Sequence, residues 1–152
     1  MSDLRPWTRE KRLRTRSVNG TLALGETITE LLRAPKLVVL RGDLGAGKTT
    51  LVKGMAVALG AADAEDVTSP TFTLVHEYRG RKTRLIHLDL YRLETEQELE
   101  TVGLWEMADS DALVLVEWGD KFPSILQRAD AIISISPGEN ETERLLHLHW
   151  RD

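Results

Sequence analysis

Apolar positions along the chain follow two periodicities. Leu24, Ile28, Leu31 and Leu32 fall at i, i+4, i+7 and i+8, and that stripe predicts a helix. Asn19 stands where a cap would accept a hydrogen bond from a free backbone N–H, and Pro35 ends the pattern. Residues 36–41 contain LVVL, a short apolar run suited to a strand buried on both faces. Residues 49–59 read as a second helix, with Leu51, Val52, Met55, Ala56 and Leu59 inward and Gly60 as its stop. Residues 71–78 and 83–90 then predict two strands around a turn containing Gly80. A short helix over 94–102 stops at Gly103. Residues 112–117 form another buried strand, and 131–136 and 145–150 close the chain as strands. Residues 13–18, with alternating bases, predict one more strand near the start. Helix and strand alternate in the first half and strands dominate the second. The expected fold is therefore an α/β three-layer sandwich, its central sheet mostly parallel with antiparallel additions.

Composition narrows the function classes. At 152 residues, 41% hydrophobic and 29% charged, the chain suits one folded domain rather than a disordered one. No apolar run approaches the ~20 residues of a membrane span, and the charged N-terminus is no secretory signal. Cys is absent, which removes disulfides, thiol catalysis and Cys-ligated metals. A cytoplasmic location is expected. Net charge is -4, yet residues 1–20 hold Arg5, Arg9, Lys11, Arg12, Arg14 and Arg16 against Asp3 and Glu10. Residues 1–16 are read as a basic arm before a single domain over 17–152. Its bases suit a solvated tail and a charge-protected edge strand better than an RNA contact.

The chemistry centres on Gly42-Asp43-Leu44-Gly45-Ala46-Gly47-Lys48-Thr49, which fits the phosphate-loop pattern G-x-x-x-x-G-K-[ST] and lies between a strand and a helix. The glycines let backbone N–H groups crowd a phosphate, and the helix N-terminus aims its dipole at the same anion. Lys48 adds charge for the β- and γ-phosphates, and the Thr49 hydroxyl is a ligand for Mg²⁺. A second acid is needed near the metal. Glu117 ends the apolar strand LVLV, and strand C-termini in such sheets face the ligand crevice. Asp89 shares a strand face with His87; its partner is either the site or a structural bond to Thr73 or Arg92. Ser69, Pro70 and Thr71 lie in a hydroxyl-rich loop able to close on the γ-phosphate, or simply in a capped turn. Trp118 either stacks beside the nucleotide or packs in the core. His147 and His149 alternate on one strand face, with no carboxylate pair near in sequence, so they are read as surface residues; His76 and His87 are read as structural.

Four segments, GDLGAGKTT (42–50), SPTFTLVHEY (69–78), HLDLYRL (87–93) and VEWGD (116–120), occur in the order and spacing of the bacterial TsaE (YjeE) family. The resemblance spans roughly residues 17–136. It implies a P-loop fold and a weak Mg²⁺-dependent ATPase serving tRNA threonylcarbamoyladenosine biosynthesis. It implies that Gly45, Ala46, Gly47, Lys48, Thr49 and Thr50 hold the ATP phosphates and that Thr49 and Glu117 flank Mg²⁺. Thr71 and Trp118 belong to switch-like segments, and Asp89 positions water or the metal shell. The base is expected near Asn19, rimmed by the hairpin around Glu141. Asp120 stands where many relatives carry Glu. The implied partner is the TsaB–TsaD pair, reset by ATP hydrolysis, with tRNA met through that complex. The alternative on the residues alone is a small-molecule kinase using the same loop. A GTP switch is disfavoured, because no [NT]KxD segment exists to read guanine.

Overall fold

A computed structural model describes residues 7–33, 36–43, 47–61, 75–81 and 83–151. Among the described residues, seven strands form one sheet: β1 (Arg9–Thr15), β2 (Lys36–Arg41), β3 (Val75–Arg79), β4 (Arg84–Asp89), β5 (Leu113–Glu117), β6 (Ala131–Pro137) and β7 (Arg144–Trp150). Their order is β1-β7-β6-β2-β5-β4-β3. The four middle strands, β6, β2, β5 and β4, run parallel. β7 and β1 add antiparallel on one side, and β3 on the other. The parallel centre with antiparallel additions is the architecture expected from the sequence.

The middle strands are apolar because both faces are covered. Along β2, Val38 and Leu40 pack on one side with Ile28 and Leu32 of the first helical segment and Leu51 and Met55 of the next. Leu37 and Val39 pack on the other side with Leu99, Leu104 and Ile125. The first layer is α1 (Val18–Leu31) with α2 (Lys48–Ala58); the second is α3 (Glu96–Val102), α4 (Leu104–Ala108) and α5 (Pro123–Arg128). Leu51 and Ile28 are fully buried, so truncating either to Ala costs about 2–5 kcal/mol. α1 and α2 cross at Gly25 and Gly54, where any Cβ on Gly25 would overlap the Gly54 backbone.

The N-terminal boundaries differ from the sequence reading. The first strand runs Arg9–Thr15 rather than 13–18, because pairing with β7 ends where Thr15 meets Arg144. The chain then turns, and Ser17 rather than Asn19 caps α1. The extended Ser17 hydroxyl accepts from the Gly20 N–H at 2.9 Å. Asn19 is exposed in the first turn. Two short helices escaped the pattern. α4 begins directly after Gly103, whose left-handed φ of 83° ends α3, and α5 is started by Pro123 in its first turn. α3 itself carries a capping box, Thr95 with Glu98.

Candidate functional site

The site forms where β2, β4 and β5 reach their C-terminal ends. Register places Glu117 beside Leu40 on one neighbour and Asp89 on the other. The last residues of an apolar strand thus bring two carboxylates to one edge, and the phosphate loop leaves β2 at the same level. Gly47 takes a left-handed φ of 103° before the first turn of α2, a conformation a side chain would strain. Lys48, Thr49 and Thr50 form that first turn, all partly buried. Gly45, Ala46, Ser69, Pro70 and Thr71 lie outside the described residues.

A chain of charged contacts runs inward from the loop. The Lys48 ammonium lies 3.0 Å from Glu117 Oε1. The other carboxylate oxygen, Oε2, is 2.6 Å from His87 Nε2. An ionised carboxylate only accepts, so His87 carries its proton on Nε2 and donates it. His87 Nδ1 is buried and finds no hydrogen-bond partner among the described residues. Burial pushes the Glu117 carboxyl up, but the hydrogen bond from His87, followed by the hydrogen bond and charge of Lys48, outweighs it. The net result holds Glu117 below the ordinary carboxylate range, so the buried acid is an anion at neutral pH. His87, read from sequence as structural, therefore touches the carboxylate that faces Lys48. The signal was present in the shared strand face of His87 and Asp89; what sequence lacked was the β4–β5 register. Asp89 is buried and accepts from the Tyr91 N–H at 2.9 Å, closing the turn after β4.

Trp118 lies on the rim. It is the one non-glycine residue with positive φ among the described residues, at 65°. Such a backbone costs about 1–3 kcal/mol and clusters at functional sites. The turn carries its ring to within 5.5 Å of the Lys48 ammonium and 5.1 Å of the Tyr91 ring. Lys121 pins the adjoining segment by donating to the carbonyls of Tyr91 and Leu93 at 2.8 and 2.6 Å. An open cleft of about 200 Å³ is bounded by Leu40, Arg41, Gly42, Asp43, Lys48, Trp118 and Asp120. A smaller groove runs from Gly47 and Thr50 to Val18 and Thr21 of α1 and to Thr142 and Arg144 of the β6–β7 hairpin. Its walls are the immediate neighbours of Asn19 and Glu141. Arg144, which sequence reading passed over, lies against Gly47 and donates to the carbonyls of Glu141 and Glu143 at 2.6 and 2.8 Å.

Residues 15–146 match the family described as threonylcarbamoyl adenosine biosynthesis protein TsaE. Among curated proteins, the TsaE tRNA threonylcarbamoyladenosine biosynthesis protein of Haemophilus influenzae is 44% identical over 99 residues, 65% of this chain and 61% of that one. The Treponema pallidum protein of the same name is 40% identical over 121 residues, covering 80% of this chain and 87% of that one. The crystal structure of Bacillus subtilis YdiB superposes with a TM-score of 0.72 at 30% identity, covering 93% of this chain and 86% of that one. With the loop, the strand-end acids and the sheet order already in place, the match over residues 15–146 settles the assignment: the chain belongs to the TsaE family.

Proposed function

We propose that this chain is the ATP-binding and ATP-hydrolysing subunit of tRNA threonylcarbamoyladenosine biosynthesis, acting in the cytoplasm. In this reading it turns over slowly alone and resets a TsaB–TsaD complex, meeting tRNA only through that complex. The observation that carries it is the Lys48–Glu117 contact of 3.0 Å at the head of the phosphate loop. A lysine held by a buried carboxylate beside a glycine-rich helix N-terminus is a cation poised for a phosphate chain.

The residues divide the work by chemistry. As the triphosphate enters, Lys48 exchanges Glu117 for phosphate oxygens. The backbone N–H groups of Gly45, Ala46, Gly47 and Thr50 are the donors assigned to the phosphates. Asn19 and the small groove beside Thr50 take the nucleoside end. The Thr49 hydroxyl and the ionised Glu117 carboxylate are hard oxygen donors of the kind Mg²⁺ takes, and His87 keeps that carboxylate oriented. Bound there, Mg²⁺ would neutralise charge building on the phosphoryl oxygens. Asp89, one strand over from Glu117, positions the attacking water, and Thr71 with Ser69 and Pro70 closes over the γ-phosphate. Trp118 covers Lys48 from the solvent side.

Calorimetric titration of ATP, together with turnover assays, tests the assignment. Lys48→Ala should weaken ATP binding about 100-fold, the loss of one charge-assisted phosphate contact with its Coulomb attraction. Glu117→Ala should abolish Mg²⁺-dependent turnover while changing ATP affinity far less. Equal and small effects from both would remove the site. Capture of the TsaB–TsaD pair by the chain in the presence of ATP tests the partner, and no capture under any nucleotide condition would refute it.

A further inference from the structure

The antiparallel edge of the sheet carries a second cluster of ligating groups, unrelated to the phosphate loop. His147 and His149 alternate on β7, so their rings leave the same face of the strand, with centroids 4.1 Å apart. The β1–β7 register sets Glu10 opposite His149, which brings a carboxylate from a strand 137 residues away onto that face. His147 Nε2 lies 2.7 Å from Glu10 Oε1, and His149 Nε2 lies 3.8 Å from Glu10 Oε2. One ligand atom from each of the three residues falls within 4.8 Å of the others. Read along the sequence, the two histidines lack a carboxylate; the fold supplies it.

We propose that Glu10, His147 and His149 form a binding site for a borderline divalent transition-metal ion, with Zn²⁺ as its type. A tetrahedral Zn²⁺ bonded at about 2.0–2.2 Å needs donor atoms about 3.3 Å apart. The 2.7 Å contact is to Oε1 and the 3.8 Å contact to Oε2, and one ligand atom from each residue lies within 4.8 Å of the others, so side-chain rotations on a fixed pair of strands draw the three donors in to complete three corners. Water takes the fourth. Two imidazole nitrogens with one carboxylate oxygen suit Zn²⁺, Cu²⁺ or Ni²⁺ and not the all-oxygen preference of Mg²⁺ or Ca²⁺. Among the described residues Arg12 competes: its Nε is 3.4 Å from Glu10 Oε1. Its side chain is 78% exposed and can turn into water when the ion arrives. Occupancy would clamp β1 to β7 and so tie the two ends of the chain together at a sheet edge.

The test is calorimetric titration of Zn²⁺ into the nucleotide-free 152-residue chain at neutral pH, repeated on variants. One ion should bind saturably. His147→Ala and His149→Ala should each weaken binding at least about 10-fold, since even displaced outer partners of a metal cost that much. Glu10→Gln should weaken it as well. His76→Ala, on β3 at the opposite edge, should leave it unchanged. Melting temperatures taken without metal confirm that each variant is folded. Absence of saturable binding, binding that survives all three ligand substitutions, or equal weakening by His76→Ala would each overturn the proposal.

Discussion

Two histidine–carboxylate pairs of nearly equal length occupy opposite environments. His87 and Glu117 meet at 2.6 Å with side chains 0% and 5% exposed. His147 and Glu10 meet at 2.7 Å with side chains 32% and 50% exposed. The first pair sits at the mouth of the parallel strands, on the sheet face that also carries Leu85 and Leu115. The second lies on the outer face of the β1–β7 edge. Geometry alone does not distinguish them; water does. An exposed pair is screened and contributes little, whereas a buried pair has surrendered hydration that its partners must replace. The buried pair is therefore locked in one arrangement, and the exposed pair is free to trade partners.

The largest effect should come from breaking the buried pair. His87→Ala leaves Glu117 with Lys48 alone and opens a void, and it should cost about 3 kcal/mol in urea unfolding. A loss no larger than that of a surface substitution would erase the distinction. Next comes the pH profile of Glu117→Gln. The folded-state pKa of Glu117 lies below its ordinary value of 4.5, so its contribution is present above that pH and is lost as pH falls through the lowered value. The stability gap between wild type and Glu117→Gln should be constant near neutrality and close in the acid range. A gap unchanged throughout acid titration would mean that the carboxylate is not held as an anion. The smallest effect belongs to His147→Ala without metal, whose melting temperature should stay with that of the wild type; a drop approaching that of His87→Ala would merge the two classes.

Much of the scaffold could be read from residue pattern, for identifiable reasons. The run LVVL gave β2 its bounds because a strand covered on both faces has no polar position to blur them. Gly60 and Gly103 both take the left-handed conformation that stops a helix. Asn19 and Ser17 are both good caps two residues apart, and only the pairing of Thr15 with β7 decides between them. α4 and α5, at five and six residues, are too short for a periodicity to emerge. Within the candidate site, the convergence of Lys48, Glu117 and Asp89 at the strand ends was legible from motif and strand end. The partnership of His87 with Glu117, the approach of Arg144 to Gly47 and the carboxylate beside His147 were not, because each depends on how elements distant in sequence meet in the fold.

The bare crossing of α1 and α2 has a mechanical corollary. Where Gly25 lies on the Gly54 backbone there is no side chain to act as a bearing, so the two rods cannot slide past each other. α2 starts at Lys48, within the phosphate-loop motif, and α1 starts at the rim of the small groove. A tug at the head of one rod is therefore felt at the head of the other, so the two helices make one stiff unit beside the loop rather than two independent rods.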